Sequence, residues 1–319
     1  MSTSGDCSLI VLGSAAGSVA FGLAAATAWG GSDFVGGLAA RRSPALLLTF
    51  SGHFVTLLLL LAICAFGGLP VPHRTEFIEG AIGGLEGSLA LVAFYRALSM
   101  GAMGLTAALT GLLTALVPVL FGLWSEGQPG PMAIGGLLLG GLAIWLIAHA
   151  PSRTSSPRIP GPRIPGPRIS SQGAPTQALI LGAISGAGFG VQLILFKFAA
   201  RDGVLWALTS ARIGGVLGMT AILLFAWPRH TPNEAQISGN RIGTGFWKMG
   251  ILAGALDTAG NLGYTLAAHT GRLDLAAMVS SLYPGFTILL AALILRERPT
   301  GRQTVGMAVA LASVVLLSL

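Results

Sequence analysis

Apolar runs long enough to cross a bilayer follow one another along most of this 319-residue chain. A hydrocarbon core takes about 20 apolar residues of helix. Such runs occur at 18–39, 44–67, 77–99, 102–124 and 130–149, and again at 177–199, 204–227, 247–268, 273–295 and 301–318. Backbone N–H and C=O groups in lipid must be satisfied within their own segment, so these runs read as helices. Only 9% of residues are charged, against about a quarter in soluble domains. The expected fold is therefore an all-α integral membrane bundle of about ten transmembrane helices.

This frame disposes of several function classes. A net charge of +7 would suggest nucleic acid in a soluble domain. Here the basic residues sit mostly in short loops between spans, where membrane proteins keep them. Cys7 and Cys64 have no metal-ligand or disulfide spacing. No GxxxxGK[ST] phosphate loop occurs, so the chain carries no ATP-driven pump of its own. No basic segment precedes the first apolar run, so that run is expected to stay rather than be cleaved. No cofactor motif and no cluster of catalytic type is present in the longest non-helical segments, 150–176 and 228–246. We expect neither an enzyme nor a cofactor.

Residues 157–170, PRIPGPRIPGPRIS, break the apolar pattern. Proline-rich chain cannot form helix and extends as polyproline II, about 3.1 Å per residue. Its three-residue turn spreads arginines spaced by five around the axis and not along one stripe. The stretch reads as a linker within 150–176, between five spans in 1–149 and five in 177–319. The halves resemble each other: AARRSPALLLTFSGHF (39–54) aligns with AARDGVLWALTSARIG (199–214), and MGAMGLTAALTGLLTALVP (100–118) with TGRLDLAAMVSSLYPGFT (270–287). Five is odd, so the second copy enters from the opposite side. Inverted repeats of this kind underlie many secondary transporters.

WGGSDFVGGLAARRSPALLLTF (29–50) resembles the start of an EamA domain, the repeat unit of the drug/metabolite transporter superfamily, and LAAMVSSLYPGFTILLAALILRERPTGRQTVGMAVALASVVLL (275–317) resembles the end of one. The first half lacks the arginines flanking Glu126, and its Pro118 falls one helical turn late. The resemblance implies two inverted five-helix repeats around a central cavity, and transport of a small metabolite. Members of that family are usually drawn with both termini in the cytoplasm. Basic residues here crowd the loops after odd-numbered spans, which puts both termini outside. The two readings stay open, with a bacterial cytoplasmic (inner) membrane as the expected location.

Within the spans, the residues that hydropathy disfavours are the informative ones. Asp33, His53, Glu86, Arg212, Asp257 and Asn261 all lie inside apolar runs. Each charge at a helix centre costs about 2.5–3.5 kcal/mol, so four of them unpaired would cost on the order of 10 kcal/mol. They must face one another, water or a substrate, and we take them, with Tyr283, as cavity candidates. Arg212 in a structural ion pair with a carboxylate is an equal alternative. Glu86 and Asp257 occupy equivalent spans, and a carboxylate removed from water holds its proton more readily. Both are candidates for proton coupling. Pro118 and Pro284 are expected to kink spans four and nine, with Thr114, Ser280 and Ser281 near the freed carbonyls. Trp29 and Trp124, near span ends, read as interfacial anchors, and Lys197 reads as a snorkelling cation. GxxxG pairs such as Gly80/Gly84 and Gly250/Gly254 point to closely packed helices.

The expected function is a permease or exporter for a small polar metabolite, an amino acid or related zwitterion, working by alternating access around a midplane cavity. A flippase for a lipid-linked substrate, or a membrane assembly subunit on the same fold, is the alternative. The expected partners are the small-molecule substrate and the lipid bilayer. The sequence carries no sign of oligomeric state.

Overall fold

The computed structural model describes residues 15–40, 44–99, 103–148, 174–226, 244–294 and 300–318. The PRIPG repeats, Trp227, Glu297 and the loop arginines at 41, 42, 153–168, 229, 241, 296 and 298 lie outside the described residues.

Among the described residues the chain is helical, with no strand. The helices are α1 (Ala15–Ala40), α2 (Ala45–Phe66), α3 (Arg74–Ser99), α4 (Met103–Ser125), α5 (Pro131–Ala148) and α6 (Ala174–Ala199). They continue as α7 (Val204–Ala221), α8 (Thr244–Thr270), α9 (Leu273–Ser280), α10 (Tyr283–Ile294) and α11 (Gly301–Ser318). Five stretches among the described residues are long and apolar enough to cross a membrane: Ala45–Phe66, Arg74–Ala97, Thr176–Asp202, Val204–Phe225 and Leu273–Ile294. Shorter apolar helices occur at Leu109–Ser125, Pro131–Ile147 and Gly301–Leu317. α1 and α8 are long, with 26 and 27 residues, but richer in glycine and polar side chains.

The two intramembrane prolines act differently. Helical bonding lapses at Ser281–Leu282, just before Tyr283–Pro284, and separates α9 from α10. α4 runs through Pro118 as one helix. Thr114 Oγ donates to the Thr110 carbonyl at 2.8 Å. Ser280 and Ser281 do not meet freed carbonyls: their hydroxyls are buried without a hydrogen-bond partner among the described residues.

The outer face of the bundle is apolar, and its interior mixes apolar and polar side chains. Leu59, Leu138, Leu293 and Leu311 are more than half exposed, while Ser18, Thr110, Ser185, Thr209 and Arg212 are buried. Lipid is as apolar as a leucine core, so sorting by hydrophobicity gives way to packing of small residues and interhelical hydrogen bonds. Ser32 Oγ in α1, for example, donates to the Ala253 carbonyl in α8 at 2.9 Å. The glycine pairs mark the closest crossings. Gly80 and Gly84 of α3 meet Ser210 and Ala211 of α7, and Gly250 and Gly254 of α8 meet Ser51 and Gly52 of α2.

The most extensive helix contacts are α1 with α8, α3 with α6, α5 with α11, α3 with α7, α4 with α6 and α2 with α8. Each joins a helix before the linker to one after it. At one end of the bundle the turns are also tied across the chain. The His73 backbone N–H donates to Asp202 Oδ2 at 2.6 Å, and the same oxygen meets the His73 ring. Trp206 Nε1 donates to the Leu69 carbonyl at 3.4 Å. Glu126 pairs with Lys197 through one oxygen and through the other accepts the Leu273 N–H at 3.0 Å, at the start of α9. Arg272 Nη2 donates to the Gly127 carbonyl at 2.6 Å. Lys197 is therefore an ion-pair partner, held inside this cluster instead of snorkelling.

Candidate functional site

The crossing of α2 and α8 fixes the centre of the site. Gly52 and Gly254 bring the two backbones together, so the neighbouring His53 and the Asp257–Thr258 pair one turn on face a common space. α7 packs on α2 and delivers Arg212 between them. Its Nη2 donates to Asp257 Oδ2 at 2.5 Å and to Thr258 Oγ at 2.9 Å, and its Nη1 donates to His53 Nε2 at 2.8 Å. Asn261, four residues beyond Asp257 on the same face, adds an Nδ2 donor to Asp257 Oδ2 at 3.1 Å.

These bonds assign the histidine tautomer. A guanidinium has donors only, so His53 Nε2 must accept and the ring proton sits on Nδ1. Ser88 Oγ, 3.4 Å from Nδ1, already donates to the Gly84 carbonyl at 2.7 Å and is left to accept. His53 is thus neutral and wedged between Arg212 and α3. Arg212 and His53 are buried, and Asp257 keeps about a fifth of its side chain accessible. The alternative weighed for Arg212, an ion pair with a carboxylate, describes its geometry, and the pair opens onto a cavity.

That cavity contains about 590 Å³ of space between atoms, part of it open to solvent. Six residues anticipated from sequence line it: Asp33, His53, Arg212, Asp257, Asn261 and Tyr283. Glu86 does not. It lies against Gly188 of α6, with Oε2 buried and unpartnered among the described residues. Asp33, on the cavity wall, makes no hydrogen bond or ion pair with the described residues.

Four aromatic rings complete the wall. Trp29 stands edge-on to Tyr283, with centroids 6.3 Å apart, and stacks on Tyr264 at 6.0 Å. Phe94 meets Phe189 edge-on at 6.2 Å. Trp29 is therefore a cavity residue and not an interfacial anchor. The sequence held one signal for this: Trp29 and Asp33 are four apart and share a helix face. Gln192, Phe94 and Phe189 also line the cavity, and nothing in their local sequence separates them from packing residues.

Residues 176–319 match the EamA-like transporter family. This half of the chain belongs to that family. The EamA-like half supplies Gln192, Arg212, Asp257, Asn261 and Tyr283 to the cavity, and the first half supplies Trp29, Asp33 and His53. A solved crystal structure of a protein, 19% identical, superposes with a TM-score of 0.66 over 94% of this chain and 96% of that one. It shares the fold. No curated protein sequence matches the chain. The family match over 176–319, together with helices long and apolar enough to cross a membrane, is consistent with an integral membrane protein.

Proposed function

We propose that the chain is a secondary transporter of a small polar metabolite, built as two inverted five-helix repeats, 1–149 and 177–319, that rock about the central cavity in a bacterial inner membrane. The cavity carries the proposal: charged groups from both halves, Asp33 from the first and Arg212 and Asp257 from the second, converge on one space. The helix contacts support the repeats. Exchanging each helix for its counterpart five spans on turns α1–α8 into α6–α3, and α3–α7 into α8–α2. The contact between α5 and α11 maps onto itself. A pseudo-two-fold axis has this effect, as in transporters with inverted repeats.

The ion network bears on both substrate and coupling. Arg212 is neutralised by Asp257 and engaged by His53 and Thr258, which leaves it poorly placed to hold the carboxylate of a zwitterion. Asp257 is likewise committed to its cation. In this proposal the carboxylates that carry a coupling proton are those without one, Asp33 and Glu86. The test is transport by the full chain in proteoliposomes loaded with a metabolite mixture, with and without a proton gradient. Gradient-dependent depletion of one metabolite, absent from empty liposomes, is expected. No metabolite moving under any gradient would sink the transporter reading.

A further inference from the structure

We infer that the cavity selects organic cations, amines or quaternary ammonium compounds with an apolar body, held by the Asp33 carboxylate within a box formed by Trp29, Tyr283, Phe94 and Phe189. The inference rests on the transporter reading for its biological meaning, but the binding chemistry stands on the site alone. Charge counting comes first. The ionisable groups on the wall are Asp33, His53, Arg212, Asp257 and Tyr283. Arg212 and Asp257 cancel at 2.5 Å. His53 accepts from Arg212 and is neutral. Asp33 remains, and among the described residues it has no cationic partner.

The wall chemistry adds a second, independent requirement. Aromatic faces carry negative potential and attract ammonium groups, more so where water is excluded. Trp29 and Asp33 lie one turn apart on α1, so the indole and the carboxylate present together to the same volume. Phe94 and Phe189 close the side formed by α3 and α6, and their contact is edge-on. A carboxylate beside aromatic walls suits a cation with an apolar or aromatic body. A substrate carboxylate would meet two acidic side chains, Asp33 and Asp257, and an arginine whose charge is already matched. The cavity therefore discriminates against zwitterions.

The discriminating probes are phenethylamine and phenylalanine, which differ only by the carboxylate. Binding of each to the purified full chain in lipid nanodiscs would be measured by equilibrium dialysis. Phenethylamine should bind more tightly than phenylalanine, and Asp33→Asn should weaken it on the order of thirtyfold, as loss of one partner of a desolvated pair does. Asp33→Glu keeps the charge and should keep most of the affinity, which separates loss of the counter-ion from loss of the fold. Phenylalanine binding as tightly as phenethylamine, no phenethylamine binding, or an Asp33→Asn variant that binds normally would each overturn the inference. The two proposals fail separately. Liposomes that move nothing while Asp33-dependent amine binding persists would leave the site and remove the transporter, whereas transport of a zwitterion would leave the transporter and remove the cation site.

Discussion

Replacing Gly52 by alanine tests whether the α2–α8 crossing sets the geometry of the site. A Cβ at Gly52 would lie 2.6 Å from the Gly250 carbonyl oxygen and 2.8 Å from Gly254 Cα. Ordinary contact begins at 3.4 Å, so the helices must part by the difference from 2.6 Å, about 0.8 Å. Both obstructing atoms are backbone, and no side-chain rotation can relieve the overlap. Overpacking of this kind costs about 1–3 kcal/mol, against a gain of up to about 1 kcal/mol from the higher helix propensity of alanine. Net destabilisation follows. The same displacement acts on Arg212, which bridges α2 and α8. Lengthening its 2.8 Å bond to His53 by that amount takes it out of hydrogen-bond range.

The control is Gly37→Ala in α1, where an added Cβ meets nothing within 4 Å and only the propensity gain should remain. Thermal unfolding of both variants in one detergent, followed by intrinsic fluorescence, reads the difference. Gly52→Ala should melt several degrees below the parent protein, and Gly37→Ala at or above it. Equal midpoints for the two variants would refute the assignment of this crossing as a backbone contact.

Arg212→Met should destabilise the protein by about 3 kcal/mol, because Asp257 is left without its cation, while Arg212→Met with Asp257→Leu should recover most of that loss; chemical unfolding in detergent measures both. His73, outside the spans, bonds to Asp202 and faces Glu76, which together raise its pKa above the ordinary 6.5. Its stabilising contact is therefore fully present below pH 6.5 and is lost as pH rises through the folded-state pKa. An NMR titration of the His73 ring should give a midpoint above 6.5 that falls in Asp202→Asn, and an unchanged midpoint would contradict the pairing. Glu126→Ala removes both the Lys197 partner and the acceptor for the Leu273 amide, and loss of such a cap costs about 0.5–2 kcal/mol. Hydrogen exchange at the start of α9 should speed up correspondingly.

The sequence displayed the spans more fully than the site. Apolar runs placed the helices, and GxxxG pairs such as Gly80/Gly84 and Gly250/Gly254 located two of the close crossings, because both signals are local. Which face of a helix points inward was harder to see. Lipid and interior are both apolar, so the amphipathic stripe that orients a soluble helix is weak here. Glu86 illustrates the result: equivalence with Asp257 suggested the cavity, while packing sets it against Gly188. The partner of Arg212 was likewise a tertiary fact, joining residues 45 apart in sequence. Trp29 was obscured by a general rule for tryptophans that its spacing to Asp33 should have overridden.

The cross-chain ties at one end of the bundle bear on how the proposed cycle is balanced. His73–Asp202, Leu69–Trp206, Glu126–Lys197, Glu126–Leu273 and Gly127–Arg272 all join the first half to the second. A rocking motion that opens this end must break them together. Partly exposed polar contacts contribute only about 0.5–1.5 kcal/mol each, so the closure they provide is worth a few kcal/mol. Shifting a two-state equilibrium from 1:99 to 99:1 takes about 5.5 kcal/mol of differential binding. The two quantities are of one order. A ligand that engages Asp33 more strongly in one arrangement of the halves can therefore govern this closure. A seal built from buried charge pairs would be too strong for it, and one built from van der Waals contact alone would give no defined closed state. In the proposed cycle, ties of this size at the rim would give way while the buried Arg212 network held the shape of the site.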